Sequence, residues 1–264
     1  MNAELREKSF GYTKFDENGE KVIIDRKGKY KDMMMDIWSY DMPAGSVREA
    51  CVQGDELIVL LVTGEADFTV AGETMHFKRG SFTEEKMSCV HVCKNTPVKV
   101  QAVERSEIVL ISTENDKEFK PVFYTPDKVS ENMACVGMWE NHAVRKVWTT
   151  IDASVAPYSN LVLGETIMLQ GCWSGYVPHY HEQPELYYFR IENPAGFGAS
   201  FVGDEVFKIT DGSFAAIGSN LSHPQVAAPG YPIYYLWLIR HLPGNPWSRE
   251  TTPNEAQHEW LLKK

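Results

Sequence analysis

Short runs of β-branched and aromatic residues, most of them separated by Gly, Pro, Asn or Asp, restrict the folds open to this chain more than any other feature. They lie at 57–62, 67–70, 98–103, 107–112, 186–191, 200–207 and 233–239. Strands of this length at regular spacing predict an all-β sandwich or barrel. Apolar residues at helical spacing are scarce. Only 254–264 reads as a short terminal helix, with Pro253 before it and Glu255 in its first turn.

The pattern also repeats. Gly80-Ser81-Phe82 returns as Gly212-Ser213-Phe214, 132 residues on, and Ala66-Asp67-Phe68 is echoed by Ala199-Ser200-Phe201 at an offset of 133. Gly72 and Glu73 are echoed by Gly203 and Glu205, and His91 by His223. The offset is half of the 264 residues, so duplication of one β domain is expected. The first copy spans about 34–114, a linker rich in Pro, Asn and charge spans 115–143, and the second copy runs from 144 to about 246. The expected division is therefore 1–143 and 144–264.

Charge narrows the partners. Lys and Arg number 26 against 36 Asp and Glu, a net charge of −10, and no basic run reaches five residues. Nucleic acid and anionic membrane surfaces, which demand basic residues, are not expected partners. The longest apolar run, 233–239, has seven residues, far from the roughly 20 of a membrane span. The start, Met1 to Glu7, is charged and lacks an apolar signal core, so a cytoplasmic location is expected. Five cysteines, an odd number, argue against a disulfide framework. Cys89 and Cys93 flank His91, but a second Cys/His pair at zinc-finger spacing is missing.

The chemistry concentrates in Pro178-His179-Tyr180-His181-Glu182-Gln183-Pro184-Glu185. In an extended strand, His179 and His181 project from one face about 7 Å apart. Glu185 re-enters after the Gln183-Pro184 corner as a third ligand, and His223 follows a Gly-containing turn as a fourth. Three imidazoles and a carboxylate suit Zn or Mn, with Fe, Ni and Co as further options. Mg and Ca prefer all-oxygen shells. The competing reading is a solvated polar pair, which Glu185 and His223 weigh against.

The order Gly-x3-His-x-His-x3-Glu, followed by a strand pair and a further His, resembles the metal motifs of the cupin superfamily. Glu185 to Ile191, Pro194 to Phe197, His223 to Val226 and Ala228 to Leu236 resemble, more narrowly, the bicupin family of 5-deoxy-glucuronate and 4-deoxy-5-keto-uronate isomerases. Arg145-Lys146-Val147 and Trp173-Ser174 sit where that family carries similar residues. The likeness is strong over 144–247 and fainter over 34–114. It implies two tandem cupin (jelly-roll) barrels with metal in the second only, held by His179, His181, Glu185 and His223. Shifting His179 and His181 back by 132 lands on Val47 and Glu49, which cannot replace imidazoles. His91 is accordingly read as a packed strand-edge residue, and the first barrel as structural or dimer-forming. Two departures stand out: only Glu182-Gln183-Pro184 separates the His pair from Glu185, where the family carries a longer insert, and Phe189 stands where it usually has His.

The resemblance implies an aldose–ketose isomerase acting on a sugar acid, as in inositol catabolism. That chemistry needs a Lewis acid and a group that moves a carbon-bound proton. Tyr187, of the same strand parity as Glu185, is a proton donor or a pocket-lining residue. Glu182 is a base or an exposed loop charge. Arg145, Arg190 and Lys208 are candidate cations for the substrate carboxylate. Arg145 is preferred because it resembles a family position, and Arg190 has outward parity. Trp173, Tyr234, Tyr235 and Trp237 read as barrel wall, with at most one of the two consecutive tyrosines reaching the cavity. A homodimer is the expected assembly. Two other functions fit the same ligands, an Fe(II)-dependent cupin oxygenase and a non-catalytic sugar-acid-binding cupin. Turnover without oxygen separates the isomerase from the first, and any turnover separates it from the second.

Overall fold

The computed structural model describes residues 3–263. A helix, α1 (Ala3–Ser9), and a strand, β1 (Phe10–Tyr12), open the chain. There follow β2 (Glu20–Ile24), β3 (Asp36–Met42), β4 (Val47–Ala50), β5 (Asp55–Val70), β6 (Glu73–Arg79), β7 (Ser88–Val92), β8 (Val98–Ala102), β9 (Ser106–Glu114) and β10 (Val122–Tyr124). The second half carries β11 (Ser130–Ala134), β12 (Arg145–Ile151), β13 (Leu161–Met168), β14 (Trp173–Ser174), β15 (Glu185–Arg190), β16 (Gly198–Val202), β17 (Glu205–Ile209), β18 (Ser213–Ile217), β19 (Gln225–Ala227) and β20 (Ile233–Arg240).

The backbone forms two compact units. One holds Thr13–Ser130 with Thr150–Asn160; the other holds the chain up to Tyr12, Glu131–Thr149 and everything from Leu161. The C-terminal unit stacks a sheet ordered β1-β18-β15-β20-β13-β12-β11 on one ordered β14-β19-β16-β17. The N-terminal unit repeats this plan: β10-β7-β5-β9-β3-β2 in one sheet, with β4, β8, β5 and β6 paired in the other. Each unit is thus an all-β jelly roll of two antiparallel sheets, open rather than closed into a barrel. In each, alternate residues pack inward. Ile233, Tyr235, Trp237 and Ile239 of β20 join Tyr187 and Phe189 of β15 in one core. Leu57, Val59 and Leu61 of β5 join Val90 and Val92 of β7 in the other. β20 lies between β13 and β15 and is buried along its whole length. That explains a continuous apolar run where a half-exposed strand would alternate.

Four expectations change. The run 200–207 is a hairpin of β16 and β17, turning at Gly203, whose φ is +57°. The runs 57–62 and 67–70 are one strand, β5, which passes from one sheet to the other. Its pairing with β9 shifts register between Leu61 and Thr63, and a Cβ at Gly64 (φ +107°) would stand 2.6 Å from the Arg105 carbonyl oxygen. The expected linker 115–143 contributes β10 to one unit and β11 to the other. The terminal helix is a 3-10 helix, Ala256–Lys263, with no buried residue to anchor an apolar face; Lys264 lies outside the described residues.

The division at 143/144 also differs from the compact units. Residues 131–149 belong with the C-terminal unit, while 150–160 run back to the N-terminal one, where Ser159 and the Asn160 amide donate to the Glu56 carboxylate (3.0 and 2.7 Å). β1 pairs with β18, and Phe10 stacks on Phe207 with ring centroids 5.0 Å apart. One polar detail distinguishes the N-terminal unit. Asp55 opens β5 and is held by Arg26 Nη2 (2.6 Å) and Ser112 Oγ (2.9 Å), while Arg26 Nε reaches Asp36 (3.0 Å).

Phe10→Ala removes a ring that is 7% exposed, so it should cost about 3–5 kcal/mol of C-terminal-unit stability. A lower urea midpoint checks this; a change below about 1 kcal/mol would show that β1 is not part of that core.

Candidate metal centre

The connection from β14 to β15, residues 175–184, carries the two motif histidines; its counterpart between β4 and β5 is residues 51–54 only. Gly175 starts the longer loop with φ +63°, and a Cβ there would lie 2.8 Å from the His223 carbonyl oxygen. Glycine therefore lets this loop pass against the His223 turn. His179 and His181 sit on the loop rather than in an extended strand. The backbone of His179 makes one isolated bridge, to Asn254. The wide turn replaces strand parity as the device that turns both rings toward the cavity.

Each imidazole is oriented by its own backbone. The Nδ1 atoms lie 3.0 Å from the Val177 carbonyl for His179, 2.8 Å from that of Gln183 for His181, and 2.8 Å from that of Leu221 for His223. A nitrogen that close to a carbonyl oxygen carries the proton, so each neutral ring presents a bare Nε2. The Nε2 atoms of His181 and His223 lie 3.0 and 3.1 Å from one oxygen of Glu185, and the His223 contact lacks hydrogen-bond geometry. Lone pairs facing a carboxylate at this range repel unless a cation or proton stands among them. Ligand atoms of His181, Glu185 and His223 fall within 4.8 Å of one another, and all three residues are buried. The His179 ring adjoins them, its centroid 4.8 Å from that of His223. Nitrogen donors, each ring held by a backbone carbonyl at its other nitrogen, and one carboxylate fit a divalent transition-metal ion or zinc.

The electrostatics agree. Burial opposes ionisation of Glu185, but the His223 and His181 rings beside it outweigh burial and hold its carboxyl far below the usual range. Burial lowers the pKa of His223, yet the Glu185 charge wins and raises it. His179, desolvated and next to His223, is pushed down to about 4.

His179, His181 and Glu185 border a cavity of about 280 Å³. Tyr187 lies on its wall, 4% exposed, with its ring 5.8 Å from that of His223. Burial and the Glu185 charge raise its pKa. Arg145 is also on the wall, donating to the Ala143 carbonyl (3.0 Å) and contacting Cys135 Sγ (3.3 Å). Of the consecutive tyrosines, Tyr235 reaches the cavity, whereas Tyr234 donates to Glu165 at 2.7 Å. Glu182 is separated from the cavity. It follows His181 on the loop, points the other way, accepts from Asn245 Nδ2 (2.7 Å) and borders a neighbouring hollow. Arg190 pairs with Asp211 (2.8 Å), and Lys208 lies over the Phe197 ring.

His91 lies mid-sheet, not at an edge, between β10 and β5. Its Nε2 meets buried Glu56 at 2.8 Å. Val90 and Val92 face the core, so His91 faces away from it. The shared offset with His223 is therefore not a structural equivalence, because His223 precedes β19, whose counterpart is β8.

Sequence reasoning missed the segment 247–254. Trp247, Arg249, Thr252 and Asn254 complete the cavity rim, and the segment zips onto the histidine loop through Tyr180 N to Pro253 O (3.2 Å) and Glu255 N to Pro178 O (2.8 Å). Thr166 and Ser174 were missed too; the β13–β20 register, Thr166 opposite Tyr235, is the signal that locates the first.

Protons should compete with the ion. The raised His223 pKa means that this ring takes up a proton as pH falls, while His179, at about 4, stays neutral to lower pH. Zn2+ affinity should therefore fall by roughly tenfold per pH unit once His223 protonates, with proton release on binding. Calorimetry at pH 7.5 and 5.5 in buffers of different ionisation enthalpy checks this; pH-independent affinity would remove His223 from the ligand set.

The profile of the KduI/IolB family matches residues 11–261. The 5-deoxy-glucuronate isomerase of Bacillus licheniformis is 22% identical over 93% of this chain and 94% of its own length. That of Geobacillus thermodenitrificans is 25% identical over 79% of each chain. An IolB-like protein from Salmonella typhimurium LT2 superposes with TM-score 0.84 at 20% identity, over 96% of this chain and 99% of its own. Lactobacillus farciminis oxalate decarboxylase superposes with TM-score 0.67 at 13% identity, over 97% and 90%. These likenesses fix the fold as the tandem cupin type, and the family match extends from β1 to the terminal 3-10 helix: the chain belongs to the KduI/IolB family.

Proposed function

We propose that this protein is an aldose–ketose isomerase acting on a sugar acid of the 5-deoxy-glucuronate class, with a divalent cation held by His179, His181, Glu185 and His223. The observation that carries the reading is the set of bare imidazole nitrogens around the buried Glu185 carboxylate, inside a cavity sized for a small ligand. The family supplies the reaction class, since its curated relatives are named 5-deoxy-glucuronate isomerase.

Bound there, the ion supplies Lewis-acid polarisation of a substrate carbonyl. The chain's own residues do the rest. The backbone carbonyls of Val177, Gln183 and Leu221 fix the three rings, so no tautomer change is needed on binding. Burial keeps the Tyr187 phenol protonated at neutral pH, which makes it a proton donor to a developing oxyanion rather than a base. Arg145, with no carboxylate partner, contributes positive charge to the wall. Trp237 and Ile239 add apolar surface to the wall.

Zn- or Mn-loaded protein, incubated without oxygen in D2O with a panel of uronic and deoxy-keto acids, should exchange the proton beside the carbonyl and interconvert aldose and ketose. Absence of conversion across the panel would refute the reading, and a requirement for O2 would favour an oxygenase. His181→Ala should lower metal retention and turnover by more than about 100-fold while the protein stays folded. Tyr187→Phe should retain the metal and lower kcat by about 100-fold or more; unchanged kcat would reduce Tyr187 to wall packing.

A further inference from the structure

Beside Glu185 in the same sheet, a polar stretch of cavity wall runs along β20, β13 and β12, strands that hold none of the ligands, and is joined by Ser174 of β14. The Tyr235 hydroxyl and Ser174 Oγ lie 2.6 Å apart, and Thr166, opposite Tyr235 in the β13–β20 register, lines the same cavity. Tyr235 is 4% exposed, Thr166 2% and Ser174 fully buried. The Tyr235 and Ser174 hydroxyls carry two protons, and the contact between them consumes one. One proton remains for a ligand. Beside them, Trp237 is 5% exposed, lines the cavity, and its Nε1–H has no hydrogen-bond partner. Arg145 completes the wall. Among the described residues, its guanidinium meets two carbonyl oxygens and a thiol, but no carboxylate.

Buried donors without acceptors, next to a cation without a counter-ion, cost free energy unless an oxyanion arrives. Glu185 does not supply one, because its carboxylate faces the His181 and His223 nitrogens at 3.0 and 3.1 Å.

We infer that Arg145, Tyr235, Ser174, Thr166 and the Trp237 indole N–H form a carboxylate subsite, which holds the acid end of the substrate while its carbonyl end faces the histidine cluster. The inference rests on the sugar-acid reading for its ligand and extends it. Substrate choice is made by this hydroxyl-and-guanidinium wall, and Tyr235 is a specificity-determining residue instead of barrel packing. Arg145 is the charge, the hydroxyl chain supplies direction, and the indole N–H takes the second carboxylate oxygen. A neutral sugar leaves the guanidinium unmatched and is discriminated against.

The test titrates the full-length protein, metal-free and Zn-loaded, with D-glucuronate, D-glucose and D-glucose 6-phosphate, read by tryptophan fluorescence. The wild type should bind glucuronate at least about tenfold more tightly than glucose in both forms. Tyr235→Phe and Arg145→Gln should each erase most of that preference while shifting glucose affinity less than about twofold. Arg145→Lys should restore part of it. An unchanged preference in Tyr235→Phe and Arg145→Gln would overturn the subsite, and tighter binding of the phosphate would overturn the carboxylate assignment. The two readings fail separately. Acid preference without turnover on any sugar acid removes the isomerase and leaves the subsite, whereas turnover without acid preference does the reverse.

Discussion

A buried carboxylate between imidazoles sets the terms for the C-terminal jelly roll. Glu185 is 4% exposed and opens an interior strand of its sheet, where an uncompensated charge would be costly. His181 and His223 stand against it, each ring pinned by a backbone carbonyl, and those carbonyls come from irregular segments between strands. The loop after β14, its glycine entry, and the segment 247–254 that fastens to it exist in the geometry that keeps these nitrogens around one oxygen. Chemistry at the site and order in the loops are therefore one energetic question.

Much of this was visible in the amino-acid order. Short apolar runs gave away the strands because most face a core on one side, and β20 stood out because both its faces are buried. The histidine pair, Glu185 and His223 could be grouped by spacing alone, though the parity argument presumed a strand where a turn does the aiming. What stayed hidden depends on partners distant in sequence. Residues 10–12 look like an N-terminal leader to the first repeat until β18 pairs with them. β5 looks like two strands because Thr63 and Gly64 interrupt its apolar pattern, and the interruption is the point where it changes sheets. Thr166 and Ser174 carry no signal of their own; register against Tyr235 and closeness to its hydroxyl give them meaning.

The two units also show how a duplicated plan diverges. In the first, β5 runs through both sheets without a break, and a connection of four residues leads into it. In the second, the same path is divided into β15 and β16, and ten residues precede β15. The added length carries two of the four candidate ligands, His179 and His181. Copying the strands without the loop reproduces the sandwich and leaves out the site.

The first unit answers the same charge problem with a different counter-ion. Asp55 stands at the position of Glu185, first in its strand and on the inward parity, and Arg26 closes on it together with Asp36. A guanidinium tethered to the chain cannot be exchanged, stripped by a chelator or starved for by a cell. One half of the molecule thus carries the answer to its buried charge within its own sequence.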